Sequence, residues 1–297
     1  MATSTDESKG PNAREARGGV KILVYALLVL AAAVWLVPLV WMVITSIKPA
    51  DQAASAGLSP LPTPAYRAGE FAAANYSAVW NDDSVTFPLY LRNTLIVALL
   101  SVAGMTLSSA VVAYAFSRIS FKGRGLFFAI TLATMMIPFP ILMGPLFVIF
   151  AQLGWIGSLK PLWLPAWFGG AFNIFLLRQF FMSIPRELDE AARIDGCSHV
   201  GVFFRVILPL SRPALAVVAL FHFIYVWNDF LAPLIFLTHR DDFTLALGLQ
   251  MYQSRAGNTP WNLLMAAGVM VVAPVLALFI LTQRQFVRGI SAGGGKE

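Results

Sequence analysis

Between Ile22 and Ile47 the chain reads ILVYALLVLAAAVWLVPLVWMVITSI, 26 residues without one acidic or basic side chain. At 1.5 Å per residue a helix of this length covers about 39 Å, more than the ~30 Å hydrocarbon core of a bilayer. Lipid offers no partner to an unpaired backbone group, so an apolar run of this kind is a helix. Arg14, Arg17 and Lys21 precede it and small residues from Ala53 to Ala56 follow, as in a secretory signal. The apolar core is too long for that, since signal cores run to ~7–15 residues, and it reads as an uncleaved anchor.

Five further stretches are long and apolar enough to span: 89–117, 126–153, 162–181, 214–237 and 261–282. The expected fold is an all-α membrane protein of six transmembrane helices. The composition agrees. Of 297 residues 58% are hydrophobic and 12% charged, where a soluble domain carries about a quarter. The net charge of +6 forms no stripe interleaved with aromatics, and nucleic acid is not expected as a partner. Cys197 is the single cysteine, and His199, His222 and His239 show no ligand spacing, so neither a disulfide nor a metal site is expected.

Lys and Arg give the orientation, because basic loops stay on the cytoplasmic side. With the N-terminus inside, only Lys48, Arg67, Arg92, Lys160, Arg240 and Arg255 of the 21 basic residues fall outside. Both termini are therefore expected in the cytoplasm, with a disordered tail at 1–21, a membrane domain at 22–285 and a second tail at 286–297. The outer segment from Lys48 to Pro88 contains five prolines and reads as an irregular loop.

Between the fourth and fifth spans, at 184–211, lies a cytoplasmic segment with its own helix signals. Pro185 suits a first helical position, Glu187 the positive end of the dipole, and Gly196 a left-handed stop. Asp189 and Arg193 stand at ion-pair spacing, and Leu188, Ala191 and Ala192 leave a narrow face. A second helix starts at Ser198 as its cap, carries Phe203, Val206, Ile207 and Leu210 on one stripe, and ends near Pro209. Such a pair either inserts into a groove on another protein or tucks its stripe against its own bundle.

The residues Glu190-Ala191-Ala192, then Gly196, then Val206-Ile207-Leu208-Pro209 resemble the signature loop of the inner-membrane components of binding-protein-dependent ATP-binding-cassette importers. That signature is Glu-Ala-Ala, a glycine four residues on, and Ile-x-Leu-Pro after nine more; Val206 replaces the commonest isoleucine. Ser46-Ile-Lys48-Pro49, Arg92-Asn93-Thr94, Ala113-Tyr-Ala-Phe-Ser-Arg118 and Trp227-Asn228-Asp229-Phe230 extend the resemblance to the carbohydrate-uptake branch and its maltose-type second permease subunit.

The resemblance implies a type I importer permease fold in a prokaryotic cytoplasmic membrane. It implies a second, non-identical permease subunit, two ATPase subunits and an extracytoplasmic solute-binding protein as partners, besides the bilayer. Glu190, Ala191, Ala192, Asp195, Gly196, Leu208 and Pro209 would couple to the ATPases. The chain has no phosphate loop: Gly293-Gly-Gly-Lys296 is followed by Glu297 and lacks the hydroxyl that magnesium needs. ATP and magnesium are therefore expected on the partner ATPases, with no cofactor and no catalytic residue here. For Glu190 the alternative is plain helix-dipole stabilisation.

Asp229 falls near the middle of the fifth span, where an ionisable group is costly and faces protein or a wet cavity. His222, Val226, Asp229 and Pro233 share a helical face. Asn228, Asp229, His222 and Asn93 are the candidates for the translocation path, against a role as interhelical hydrogen bonds. Pro138, Pro140 and Pro145 break or kink the third span, as a gate or as packing. The competing functions are an ion-coupled secondary transporter and a membrane enzyme. The first would carry ionisable groups in several spans, the second converging nucleophiles or ligands, and the spans offer one Asp and one His. The solute would be a sugar or oligosaccharide, or else glycerol-phosphate or a polyol.

Overall fold

A computed structural model describes residues 12–55, 61–253 and 259–293, with side chains within 20–55, 61–253 and 259–282. In chain order the main helices are α1 (Asn12–Ser46), α2 (Ala68–Trp80), α3 (Phe87–Arg118), α4 (Arg124–Ala133), α5 (Phe139–Gln152) and α6 (Ala171–Ser183). They continue as α7 (Glu187–Ile194), α8 (His199–Leu210), α9 (Arg212–Trp227), α10 (Leu231–Phe236), α11 (Leu245–Gln253) and α12 (Trp261–Gly293). No strand occurs among the described residues.

Three apolar helical stretches are long enough to cross a membrane unbroken: Val20–Ser46, Phe87–Arg118 and Trp261–Thr282. They answer to the first, second and sixth expected spans. Two bent pairs raise the count to five. Arg124–Met136 meets Phe139–Gln152 at 99°, and His199–Leu210 meets Arg212–Trp227 at 77°. The first bend falls at Ile137 and Pro138: a residue before proline is pushed out of the helical region, and Ile137 is extended. The stretch at 162–181 is not one helix either. A 3-10 segment, Leu164–Phe168, ends at Gly169, whose φ of 83° is left-handed, and α6 begins beyond it. The fifth span breaks between Trp227 and Leu231.

Other boundaries also differ from expectation. The outer segment contains α2, because no proline falls between Pro64 and Pro88 and Ala68 to Trp80 holds mostly helix-tolerant residues. The terminal helices overrun the expected tails: α1 begins at Asn12 and α12 runs to Gly293. Residues 1–11 and 294–297, the rest of those tails, lie outside the described residues.

The centre of the fold is α3, packed against α6 and α9. Its buried face includes Ala98, Ser101, Gly104, Ser109, Ala110 and Ala113. Between helices in lipid there is little hydrophobic drive, and small residues admit the close approach that dispersion needs. At Gly104 the approach is so close that an added methyl would overlap the Trp167 ring. A polar knot fastens the other end of the bundle. Asn75 donates to the carbonyls of Ser46 and Lys48, both at 2.8 Å, and accepts from Asn262 at 2.8 Å, tying α2 to the end of α1 and the start of α12.

Gly104→Ala is expected to cost about 1–3 kcal/mol by overpacking and to lower the thermal midpoint of the detergent-solubilised protein. Gly69→Ala, at a position with no atom within 4 Å of the new methyl, should leave the midpoint unchanged or slightly higher. Size-exclusion recovery after heating reads both.

Candidate functional site

The segment between α6 and α9 is built on local signals. Glu187, Asp189 and Glu190 all lie in the first turn of α7, at the positive end of its dipole. The helix is eight residues long, about two turns. It stops as the sequence predicts, with Gly196 left-handed at φ 84°. The Cys197 amide donates to the Ala192 carbonyl at 2.9 Å and the Gly196 amide to that of Arg193 at 3.0 Å, the paired bonds of a Schellman stop. Ser198 caps α8, its hydroxyl accepting from the Gly201 amide at 3.2 Å.

Within α8, Phe203–Ile207 is a π-helical turn. Pro209 brings no amide and its ring crowds the carbonyl four residues back, so the turn widens ahead of it. The helix then ends at Leu210, and the chain bends at Ser211, which is fully buried.

The two helices of the segment face opposite ways. Val202, Phe203 and Ile207 of α8 are buried in the main apolar cluster with Tyr114, Leu177 and Phe181. The outward side of the segment is α7 and the turn after it: Glu187, Leu188, Glu190, Ala191, Asp195 and Gly196 are exposed, and Ile194 is 87% exposed. The segment therefore tucks one stripe home and leaves another side open. Leu210, expected on the inward stripe, is exposed, because the bend at Ser211 carries it away from α3.

Asp189 does not pair with Arg193. Its carboxylate meets Arg118, the last residue of α3, at 3.3 Å. The Arg118 side chain is 3% exposed, and its Nη2 also donates to the carbonyls of Phe181 at 2.5 Å and Ile184 at 2.7 Å. One turn back on the same face, the Tyr114 hydroxyl donates to the His199 carbonyl at 3.0 Å, and its ring lies 5.1 Å from that of Phe203. Both residues lie in the Ala113–Arg118 stretch that carries part of the family resemblance, but neither is singled out in the sequence as a site. Arg118 reads as one more basic residue at a helix end, and all its partners are distant along the chain.

A cavity of about 220 Å³ lies between α3, α5, α9 and α10. Ser101, His222, Tyr225 and Asp229 supply its polar lining, and Phe139 and Phe150 of α5 belong to its apolar lining. Ser101 Oγ and His222 Nε2 are hydrogen-bonded at 2.7 Å. Ser101 is a contributor that the sequence reading missed, since a serine in an apolar span carries no signal of its own. Asp229 accepts from the Ala232 amide at 3.2 Å, covering the start of α10.

The structure brings His222, Val226 and Asp229 together but not the other path candidates. The Asn228 amide donates to the Ile224 carbonyl at 2.8 Å. Asn93 donates to the carbonyls of Asp241 at 2.7 Å and Phe243 at 3.1 Å, away from the cavity. Pro138 and Pro140 open α5, and Pro145 lies inside it, so the break in this span sets the helix that walls the cavity. Among the described residues no group of His, Cys, Asp and Glu could hold a metal ion.

Comparison with known proteins adds four findings. A family model described as binding-protein-dependent transport system inner membrane component matches residues 104–292. The trehalose/maltose transport system permease protein MalG of Thermococcus litoralis is 36% identical over 278 residues, 93% of this chain and 97% of that one. The sn-glycerol-3-phosphate transport system permease protein UgpE of Pectobacterium atrosepticum is 38% identical over 221 residues, 73% and 78% of the two chains. Among solved structures, a chain of a bacterial ABC transporter involved in import of the acidic polysaccharide alginate shares the fold. Its TM-score is 0.76 at 24% identity, covering 96% of this chain and 99% of that one.

In Gly196→Ala the added Cβ meets no atom within 4 Å but the residue must hold a left-handed backbone, at a local cost of about 1–2 kcal/mol. Amide exchange at Asp195 and Cys197 should rise about 5–30-fold, with the amides of α3 unchanged, by hydrogen-exchange mass spectrometry.

Proposed function

The chain belongs to the family of binding-protein-dependent transport system inner membrane components, and from that premise we propose how it works as a permease subunit of an ATP-driven importer. It is not itself an enzyme; its relatives are permease proteins. Its cargo is a sugar or oligosaccharide, the class named for several of the relatives it resembles. The similarity to a glycerol-phosphate permease supports a second reading, in which the solute is a phosphorylated polyol.

In this reading the chain crosses a prokaryotic inner membrane six times, three spans being continuous and three broken. Both ends, and the α7–α8 segment, lie in the cytoplasm. A second permease subunit completes the pathway, two ATPase subunits bind ATP and magnesium, and an extracytoplasmic binding protein delivers the solute. The exposed side of α7 enters a groove on one ATPase. Glu190, Ala191, Asp195 and Gly196 make that contact, with Ala192 backing them against the apolar cluster, while Leu208 and Pro209 shape the turn that joins α8 to the fifth span. ATP then drives the permease between inward-facing and outward-facing states only to the extent that the closed ATPase pair binds one of them better.

The observation that carries the reading is the two-sided burial of the segment: an apolar stripe anchored on α3 and an exposed acidic helix turned away from it. A loop that served only its own bundle would have no need to leave Leu188 and Ile194 open to solvent. The cavity supports a path along α9. Asp229 and His222 offer polar partners to a hydroxylated solute, and movement of α5 about its proline break would gate it.

Three acids share the first turn of α7, and this separates a docking role for Glu190 from a dipole effect. Glu190→Lys and Gly196→Pro are expected to abolish the response of the purified transporter's ATPase to its loaded binding protein, assayed with maltose, trehalose, arabino-oligosaccharides and sn-glycerol-3-phosphate. Membrane abundance should stay within about two-fold of wild type. Glu187→Lys, which disturbs the same dipole, should retain most of the response. Equal loss in Glu187→Lys and Glu190→Lys would leave only the dipole role, and normal coupling in both Glu190→Lys and Gly196→Pro would refute the docking role.

A further inference from the structure

The α7–α8 segment is joined by the chain to α6 and α9, yet polar side-chain contacts also tie it to a third helix. Four polar contacts leave the last two turns of α3. Arg118 holds the Phe181 and Ile184 carbonyls at the end of α6 and the Asp189 carboxylate of α7, and Tyr114 holds the His199 carbonyl at the start of α8. Arg118 and Tyr114 are four residues apart, so both side chains leave the same face of one helix. Each loop helix receives one of these fasteners. The Arg118 guanidinium is almost wholly buried although it stands at a helix end where solvent would be within reach. Geometry of this kind suits Arg, whose planar fork can serve several acceptors at once, and not Lys.

We infer that Arg118 and Tyr114 are positioning residues for transport: they clamp both halves of the ATPase-facing segment to α3, making this helix the route by which motion of the segment reaches the cavity. The continuity is visible along α3 itself. Ser101, which bonds His222 on the cavity wall, lies on the same unbroken helix as Arg118. A displacement of α7 that pulls on Arg118 therefore moves one wall of the cavity as a rigid rod, whereas the covalent route through α9 passes a 77° bend at Ser211. The fifth span transmits the same motion less stiffly.

This inference rests on the importer reading, and the test separates the two. The complete transporter, purified through a tag on this chain in a Cys197→Ser background, carries Val226→Cys as a reporter in the cavity wall. A membrane-impermeant maleimide labels that cysteine with and without ATP and vanadate. With the clamp intact, trapping should change the labelling rate at least five-fold. In Asp189→Asn, which leaves the carbonyl bonds of Arg118 in place, and in Arg118→Gln, the change should fall below two-fold. The amount of bound ATPase and its basal hydrolysis should stay within two-fold of the intact complex, a separation that a merely structural residue would not give. Retention of the full ATP-driven change in both variants overturns the inference, as does a loss that only tracks the loss of bound ATPase. If the unaltered complex carries no ATPase subunits or shows no response, the importer reading itself fails, and the clamp role with it.

Discussion

Lipid cannot hydrogen-bond to a peptide group, and this constraint orders the whole structure: wherever a span breaks, something in the protein must take over the freed backbone. Two of the breaks show the substitute, and the third carries local threonine bonds. At Gly169 and Gly170, Ser108 donates to the Ala166 carbonyl at 3.3 Å and Ser109 accepts from the Gly170 amide at 3.3 Å, both hydroxyls coming from α3. At 228–230, the Asn228 and Asp229 side chains turn back onto the Ile224 carbonyl and the Ala232 amide. Ahead of Pro138, Thr131 and Thr134 bond carbonyls three or four residues back. The irregular segments are thus affordable only where α3 or a local side chain covers them. Residues beside all three breaks, Phe139, Ala166 and Asp229, line the cavity.

The same constraint explains how far the sequence could be read. Continuous spans are legible because length and hydropathy are the whole signal, and α1, α3 and α12 agree closely with it. Broken spans keep the hydropathy but lose the helix, so a window average sees 162–181 as one span where the chain holds a 3-10 segment and a 13-residue helix. Caps are local chemistry and were equally legible: Gly196 and Ser198 do what their residue types predict. What was hidden is contact across the fold. Asp189 has a plausible partner four residues on in Arg193, and only the three-dimensional arrangement gives it Arg118 instead. Likewise Asn93 looked like a pathway residue and proves to hold the backbone at 241–243.

A charge pair such as Arg118 with Asp189 is weak support for stability in itself. Removing two charges from water costs several kcal/mol per ion, and well-packed apolar residues of similar volume often serve as well or better. Part of the pair even stays unsatisfied: Arg118 Nε and Asp189 Oδ1 are buried without a hydrogen-bond partner in the structure. Two features favour geometry over stability as the reason for the arrangement. Apolar contact between α3 and α8 already exists in the Tyr114 and Phe203 rings and could have been extended to α7. Apolar contact, however, is non-directional and tolerates sliding, while a guanidinium held by two carbonyls and a carboxylate fixes both register and angle. Under the proposed coupling role, a segment that conveys a push to α3 needs the second property more than the first, and the buried Arg118 side chain supplies it.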